Sequence, residues 1–207
     1  MSPWILAATA FVACGVEAVE AATIVLAVSF THGLRVALLA ALAALATLAV
    51  VVGASATLLL RTTAIGWVEL IAGVAAAYLG ITWLHKGLLR FMGRKARHDE
   101  SAAFAHHVTQ LRERSDARAG FATAFTGVFA EGVEVAIILI AIAASARATF
   151  GWALAGAGAA VACVTIGAAA LRKPLAKIPE NALKTTVGLV LSVLGILWIT
   201  EGLRALM

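Results

Sequence analysis

Six long apolar stretches alternate with short polar or basic segments along the chain. They cover about 4–29, 35–60, 65–86, 120–145, 150–171 and 184–204. Each is close to the roughly 20 apolar residues that a helix needs to cross a bilayer. The pattern therefore predicts an all-α integral membrane protein with six transmembrane helices. Because the start "MSPWILAATA" has no basic region before its apolar run, we expect a first spanning helix there and no cleaved signal.

The six predicted helices fall into two similar halves. A shift of 114 positions aligns Glu17 with Glu131 and Glu20 with Glu134, and a shift of 115 aligns "VAAAYLGITWLHKGL" with "LVLSVLGILWITEGL". A unit of three spans is odd, so its second copy must enter the membrane from the opposite side. We therefore predict a three-helix repeat over 1–90, a linker over 91–119 and an inverted three-helix repeat over 120–207.

Composition and charge place this chain in lipid. The 207 residues are 62% hydrophobic and 13% charged, with mean hydropathy +0.99, whereas a soluble domain is about half apolar and a quarter charged. Counting the segments 86–118 and 172–184 with Arg35, 13 of the 16 basic residues fall on one side of a six-span chain. The positive-inside rule predicts a cell (inner or plasma) membrane protein with both termini outside and the 86–118 loop cytoplasmic. The lipid bilayer, and no nucleic acid, is the expected partner of the basic loops.

Four carboxylates interrupt the apolar pattern where they are costly. Glu17 and Glu20 lie mid-way along the first stretch, Glu131 and Glu134 mid-way along the fourth. Residues three apart share a helix face, and an ionised acid at mid-membrane costs about 2.5–3.5 kcal/mol. A shared proton or a bound cation would offset that cost, and carboxylate oxygens suit Mg, Ca, Mn and iron. Since metal binding displaces protons, the pattern predicts a proton-coupled metal-cation transporter, without enzymatic activity or a resident cofactor.

The two acidic segments also resemble a known family. "VEAVEAATIVLAV" and "AEGVEVAIILIAI" are similar to the two Arg-Glu-Gly-Leu-Glu segments of the high-affinity, oxidase-dependent iron permeases. The resemblance implies that Glu17, Glu20, Glu131 and Glu134 take part in iron passage. We therefore expect iron as the first choice of substrate, and manganese or another divalent cation as the next. The motif arginines are replaced by Val16 and Ala130, and the seventh span usual in that family is not found. The six-span layout is similar in architecture to the lysine-exporter superfamily and the Golgi cation exchangers.

Further polar and aromatic residues carry weaker signals. Cys14 and Thr23 continue the Glu17–Glu20 face at three-residue spacing, so each is a candidate ligand as well as a packing residue. Trp83 and Trp198 occupy matching positions, where we expect anchors at opposite membrane interfaces. In the basic linker, Phe104, Val108 and Leu111 predict an amphipathic surface helix. The linker histidines offer metal sensing as an alternative role: His98, His106 and His107.

Two other functions remain open at this point. One is a transmembrane thiol–disulfide electron carrier using Cys14 and Cys163, although Cys14 aligns with Val128 and neither cysteine lies in a CxxC motif. The other is a structural membrane protein that transports nothing. The sequence leaves open the metal, import or export, the coupling ion and whether the protein forms a homo-oligomer.

Overall fold

The computed structural model describes residues 3–61, 65–94, 100–113, 116–145, 150–171 and 180–207. All regular structure in these ranges is α-helical. The helices are α1 (Pro3–His32), α2 (Leu34–Arg61), α3 (Ile65–Phe91), α4 (Glu100–Glu113), α5 (Ala117–Ser145), α6 (Phe150–Leu171) and α7 (Glu180–Leu206). Within the described residues, five of these helices are long and apolar enough to cross a membrane: α1, α2, α5, α6 and α7. The prediction of an all-α, multi-pass membrane protein is therefore confirmed.

Helix α3 needs separate mention because it is of similar length to the five candidate spans. It has 27 residues, which correspond to about 40 Å at 1.5 Å per residue. It carries Glu69, His85 and Lys86, and it is not among the five apolar helices. Its C-terminal end lies beside the N-terminal end of α7, where Arg90 Nη1 donates to Asn181 Oδ1 at 2.6 Å.

Local signals explain where several helices begin and end. Gly33 has φ +92° between α1 and α2, and Gly93 has φ +68° just after α3; this left-handed region is open mainly to glycine. Beyond α3, Arg94 N–H donates to Leu89 O at 2.9 Å, which satisfies a terminal carbonyl of the helix. At the start of α5, Asp116 Oδ1 accepts from Arg118 N–H at 3.0 Å, the usual role of an N-cap carboxylate.

Helices α3 and α7 pack against each other as antiparallel rods through their glycines. A Cβ added to Gly73 would lie 2.9 Å from Gly195 O, and one added to Gly188 would lie 2.9 Å from Gly80 O. Side chains at these positions would meet backbone, so glycine is what allows the two backbones to approach. The contacts recur every seven residues on both helices, from Gly66 opposite Gly202 to Gly80 opposite Gly188.

The prediction that Trp83 and Trp198 anchor the protein at opposite interfaces is wrong. Their side chains are only 5% and 7% exposed, and both belong to the central apolar cluster. The physical reason is the glycine packing, because each indole lies over a helix that offers no side chain at the contact. Gly73 faces the Cβ of Trp198, and Gly188 faces the Cβ of Trp83.

The predicted amphipathic helix of the linker is α4, and its apolar side packs on protein. Leu111 is 4% exposed in a cluster with Ala27, Val28 and Ala124, and the ring of Phe104 lies 6.0 Å from that of Phe30. This apolar stripe attaches the linker to one end of α1, α2 and α5. Of the linker histidines, His98 lies outside the described residues. The rings of His106 and His107 are 6.2 Å apart, and neither belongs to a metal-ligand cluster within the described part of the chain.

Candidate cation site

The antiparallel packing of α1 and α5 brings their acidic segments to the same level. Gly120 of α5 faces His32 of α1, and seven residues later Gly127 faces Ile24. The same register continues for another turn and places Glu131 level with Glu20. Glu17 is near the midpoint of the 30-residue α1, and Glu131 near the midpoint of the 29-residue α5. The carboxylates therefore lie at the middle of two spanning helices.

Three of the four carboxylates converge. One oxygen from each of Glu17, Glu20 and Glu131 lies within 4.8 Å of the others, and within the described residues this is the one such group of His, Cys, Asp or Glu side chains. Glu17 is 0% exposed and is among the largest fully buried side chains. Glu134 is outside this group, although its Oε2 is buried and lacks a hydrogen-bond partner among the described residues, as does Oε2 of Glu131.

Lys184 is the site residue that the sequence prediction missed. The sequence prediction counts it with the cytoplasmic basic segment, at the inner end of the last apolar stretch, whereas the structure puts it in the first turns of α7 with its side chain 13% exposed. Its Nζ lies 3.3 Å from Glu17 Oε1 and forms an ion pair with Glu20 Oε1. The same Nζ lies 5.0 Å from the centroid of the Trp83 ring, within the range of a cation–π interaction. Counting basic residues by loop cannot detect a lysine at the edge of a span whose long side chain reaches inward. The signal in the sequence was its alignment with Glu69 at the shift of 115.

The other two predicted ligands lie on the same helix, and Cys14 is not part of the carboxylate group. Cys14 is 0% exposed and packs in the central apolar cluster with Ala13 and Leu79. The Thr23 hydroxyl donates to Val19 O of its own helix at 3.0 Å. Both cysteines have free thiols, with Cys14 buried in α1 and Cys163 exposed on α6.

An apolar cavity reaches the same acids from between the helices. It measures about 460 Å³, and α1, α2, α5 and α6 contribute to its lining. Most of the lining is aliphatic, including Leu38, Leu45 and Val161, whereas Glu17 and Glu131 supply its carboxylates. The site therefore has an ammonium partner on α7 and an apolar cavity on the side of α2 and α6.

This arrangement places carboxylate oxygens from three side chains close together in a mostly apolar surrounding. Hard cations take such oxygens as ligands at about 2.0–2.6 Å, and here three side chains on two helices bring one oxygen each within 4.8 Å of the others. No family model matches this chain, and no curated protein or solved structure matches it either. Function must therefore be inferred from the chemistry of the carboxylates.

Proposed function

We propose that this protein is a membrane transporter for a metal cation. Iron is the first choice of substrate and manganese or another divalent cation the next, with Glu17, Glu20 and Glu131 as ligands and Glu134 beside them. The observation that carries the proposal is the fully buried Glu17 at the middle of a spanning helix, within 4.8 Å of two further carboxylates. Such acids are rare within membranes because they are costly, and they usually mark an ion pathway. The local resemblance to the iron permeases supports iron.

Six spans in two inverted repeats are the architecture that we propose for this transporter. The contacts of Gly73 and Gly188 support it. Each residue that a Cβ on Gly188 would meet lies 115 positions before a residue that a Cβ on Gly73 would meet, and 115 is the shift found in the sequence. A Cβ on Gly73 would meet Ile199 N, Gly195 O and Trp198 Cβ; one on Gly188 would meet Leu84 N, Gly80 O and Trp83 Cβ. Helix α7 is apolar enough to span, and we propose its antiparallel partner α3 as the sixth span.

The repeat explains how the acids could serve transport. An axis in the membrane plane brings α1 and α5 together at mid-depth, where secondary transporters hold their ions. Each helix supplies two of the four acids, so a small relative tilt changes which face of the membrane the site meets. Protons released as the metal binds would return on unloading, which couples the metal to a proton gradient.

Orientation follows from the remaining basic residues. With Lys184 moved into the site, 12 of the 16 lysines and arginines still lie on the side of the 86–118 loop, so we place that loop and α4 in the cytoplasm and both termini outside. A cysteine introduced at Ser101, which is exposed on α4, should not react with a membrane-impermeant maleimide in intact cells but should react after lysis. Ready labelling in intact cells would overturn this topology.

Metal binding and flux by purified protein in liposomes test the function. Glu17→Gln, Glu20→Gln and Glu131→Gln should each weaken Mn²⁺ binding and uptake at least tenfold, since each removes a charged ligand of nearly unchanged size. Glu69→Gln and Glu201→Gln are the matched controls, because these acids lie outside the carboxylate group, and both should retain most of the uptake. Wild-type transport by the three site variants, with loss in either control, would place the site elsewhere.

A further inference from the structure

Lys184 supplies a positive charge to the oxygens that a transported cation would use. Its Nζ is 3.3 Å from Glu17 Oε1 and is paired with Glu20 Oε1. Both acids belong to the group of three carboxylates. A metal ion that takes these oxygens as ligands must therefore displace the ammonium, because two cations cannot share them at close range.

Lys184 contacts an aromatic ring as well as the acids, and it lies at the edge of the site. The Trp83 ring lies 5.0 Å below Nζ, and the side chain is 13% exposed whereas Glu17 is 0% exposed. The lysine is thus at the margin of the site and the acid at its centre. Lysine is a flexible point charge on a four-carbon stem, so Nζ can leave while the helix backbone stays.

We propose that Lys184 is a specificity-determining residue, a tethered monovalent cation that excludes monovalent ions from the carboxylate site and yields to multivalent ones. This inference rests on the proposed function. A tethered group acts at an effective concentration of millimolar or more. Replacing it with Na⁺ or K⁺ exchanges one single charge for another and loses the tether. A divalent ion gains about twice the Coulomb attraction from the same oxygens, so it can compete where Na⁺ cannot.

The size of the effect follows from occupancy. If Nζ contacts the acids in nine molecules of ten, a competing cation binds about tenfold more weakly than it would to the open site. Lys184→Met keeps much of the side-chain length and removes the charge. It should bind Mn²⁺ about tenfold more tightly, and Na⁺ at about 0.1 M should now compete with Mn²⁺. Lys184→Arg keeps a charge beside the acids and should retain the exclusion of Na⁺, whereas Lys86→Met, at an exposed position of α3, should change neither quantity.

The experiment is Mn²⁺ binding to the purified full-length protein by calorimetry, with and without Na⁺, for wild type and these three variants. A second measurement needs no substitution: Mn²⁺ should increase the reductive methylation of Lys184 relative to Lys86, read by mass spectrometry. The inference is wrong if wild type binds Mn²⁺, Lys184→Met binds it no more tightly and still excludes Na⁺, and Mn²⁺ leaves the methylation of Lys184 unchanged. Lys184 would then have only a structural role. If neither wild type nor Lys184→Met binds Mn²⁺ or Fe²⁺, the metal-transport function itself fails, and the inference fails with it.

Discussion

Alanine at Gly73 or at Gly188 is expected to destabilise the protein, and by similar amounts. An added Cβ would lie 2.7 Å from Ile199 N in the first case and 2.8 Å from Leu84 N in the second. Ordinary contacts begin near 3.4 Å, which leaves a shortfall of about 0.7 Å that only a separation of α3 and α7 can provide. Backbone atoms are the obstacle in both cases, so a change of rotamer cannot relieve the clash.

The cost can be worked from that separation. A gap of about 0.5–1 Å forfeits a quarter to a half of the roughly 0.1–0.2 kcal/mol of each atom pair. Over on the order of 50 pairs along the helix interface, the loss is about 2 kcal/mol. This agrees with the roughly 1–3 kcal/mol that overpacking usually costs. The double variant should cost less than the sum of the two, because the first alanine already separates the helices and so relieves the second.

Thermal unfolding in detergent, followed by circular dichroism, measures these effects. Gly158→Ala is the matched control, because nothing lies within 4 Å of a Cβ at that position of α6. The control should unfold at or slightly above the wild-type temperature, since alanine favours a helix over glycine by about 1 kcal/mol. Unfolding of Gly73→Ala and Gly188→Ala at the control's temperature would refute the close packing, and strongly unequal losses would count against the proposed repeat.

Three further predictions test other parts of the molecule. Replacing both Cys14 and Cys163 by Ser should leave Mn²⁺ flux within about twofold of wild type, whereas loss of flux, or loss of a thiol–disulfide exchange activity, would favour the electron-carrier alternative. Leu111→Asp puts a charge into the contact between α4 and the spanning helices, so limited proteolysis of the linker should accelerate several-fold. Without metal, Lys184→Met should unfold at a lower temperature than Lys184→Met combined with Glu20→Gln, because removing one partner of a buried ion pair costs more than removing both; the reverse order would contradict the ion pair.

The helices could be predicted from sequence because long apolar stretches have few alternatives in lipid. Each of the six stretches corresponds to a helix. Most of these helices extend a few residues beyond the stretch, as α7 does by beginning at Glu180 where the prediction begins at 184, whereas α6 has the predicted bounds. The acidic pairs could also be predicted, since three-residue spacing puts Glu17 and Glu20 on one face and their repeated pattern pairs them with Glu131. Residue spacing and position within each apolar stretch were sufficient for these inferences.

Other residues could not be predicted because their positions depend on contacts between helices. The prediction for Trp83 depended on the general preference of tryptophan for membrane interfaces. In the structure, the glycine of the neighbouring helix leaves a buried place for its ring. Cys14 lies on the acidic face, but the packing of α1 turns it into the apolar cluster. Its place in the chain put Lys184 among the basic residues of a loop, whereas its contacts with Glu17 and Glu20 depend on how far its side chain reaches.

Lys184 also breaks the symmetry that the proposed repeat would give the site. At the shift of 115, its counterpart in α3 is Glu69, so the two halves match in their acids but differ in the charge that approaches them. A site with identical halves would hold and release a cation equally on both sides of the membrane. Under the proposed repeat, the position that carries an ammonium beside the acids in one half carries a carboxylate in the other. The proposed ligands Glu17, Glu20 and Glu131 come from both halves, whereas the ammonium of Lys184 comes from one half alone, so the proposed site is asymmetric in charge.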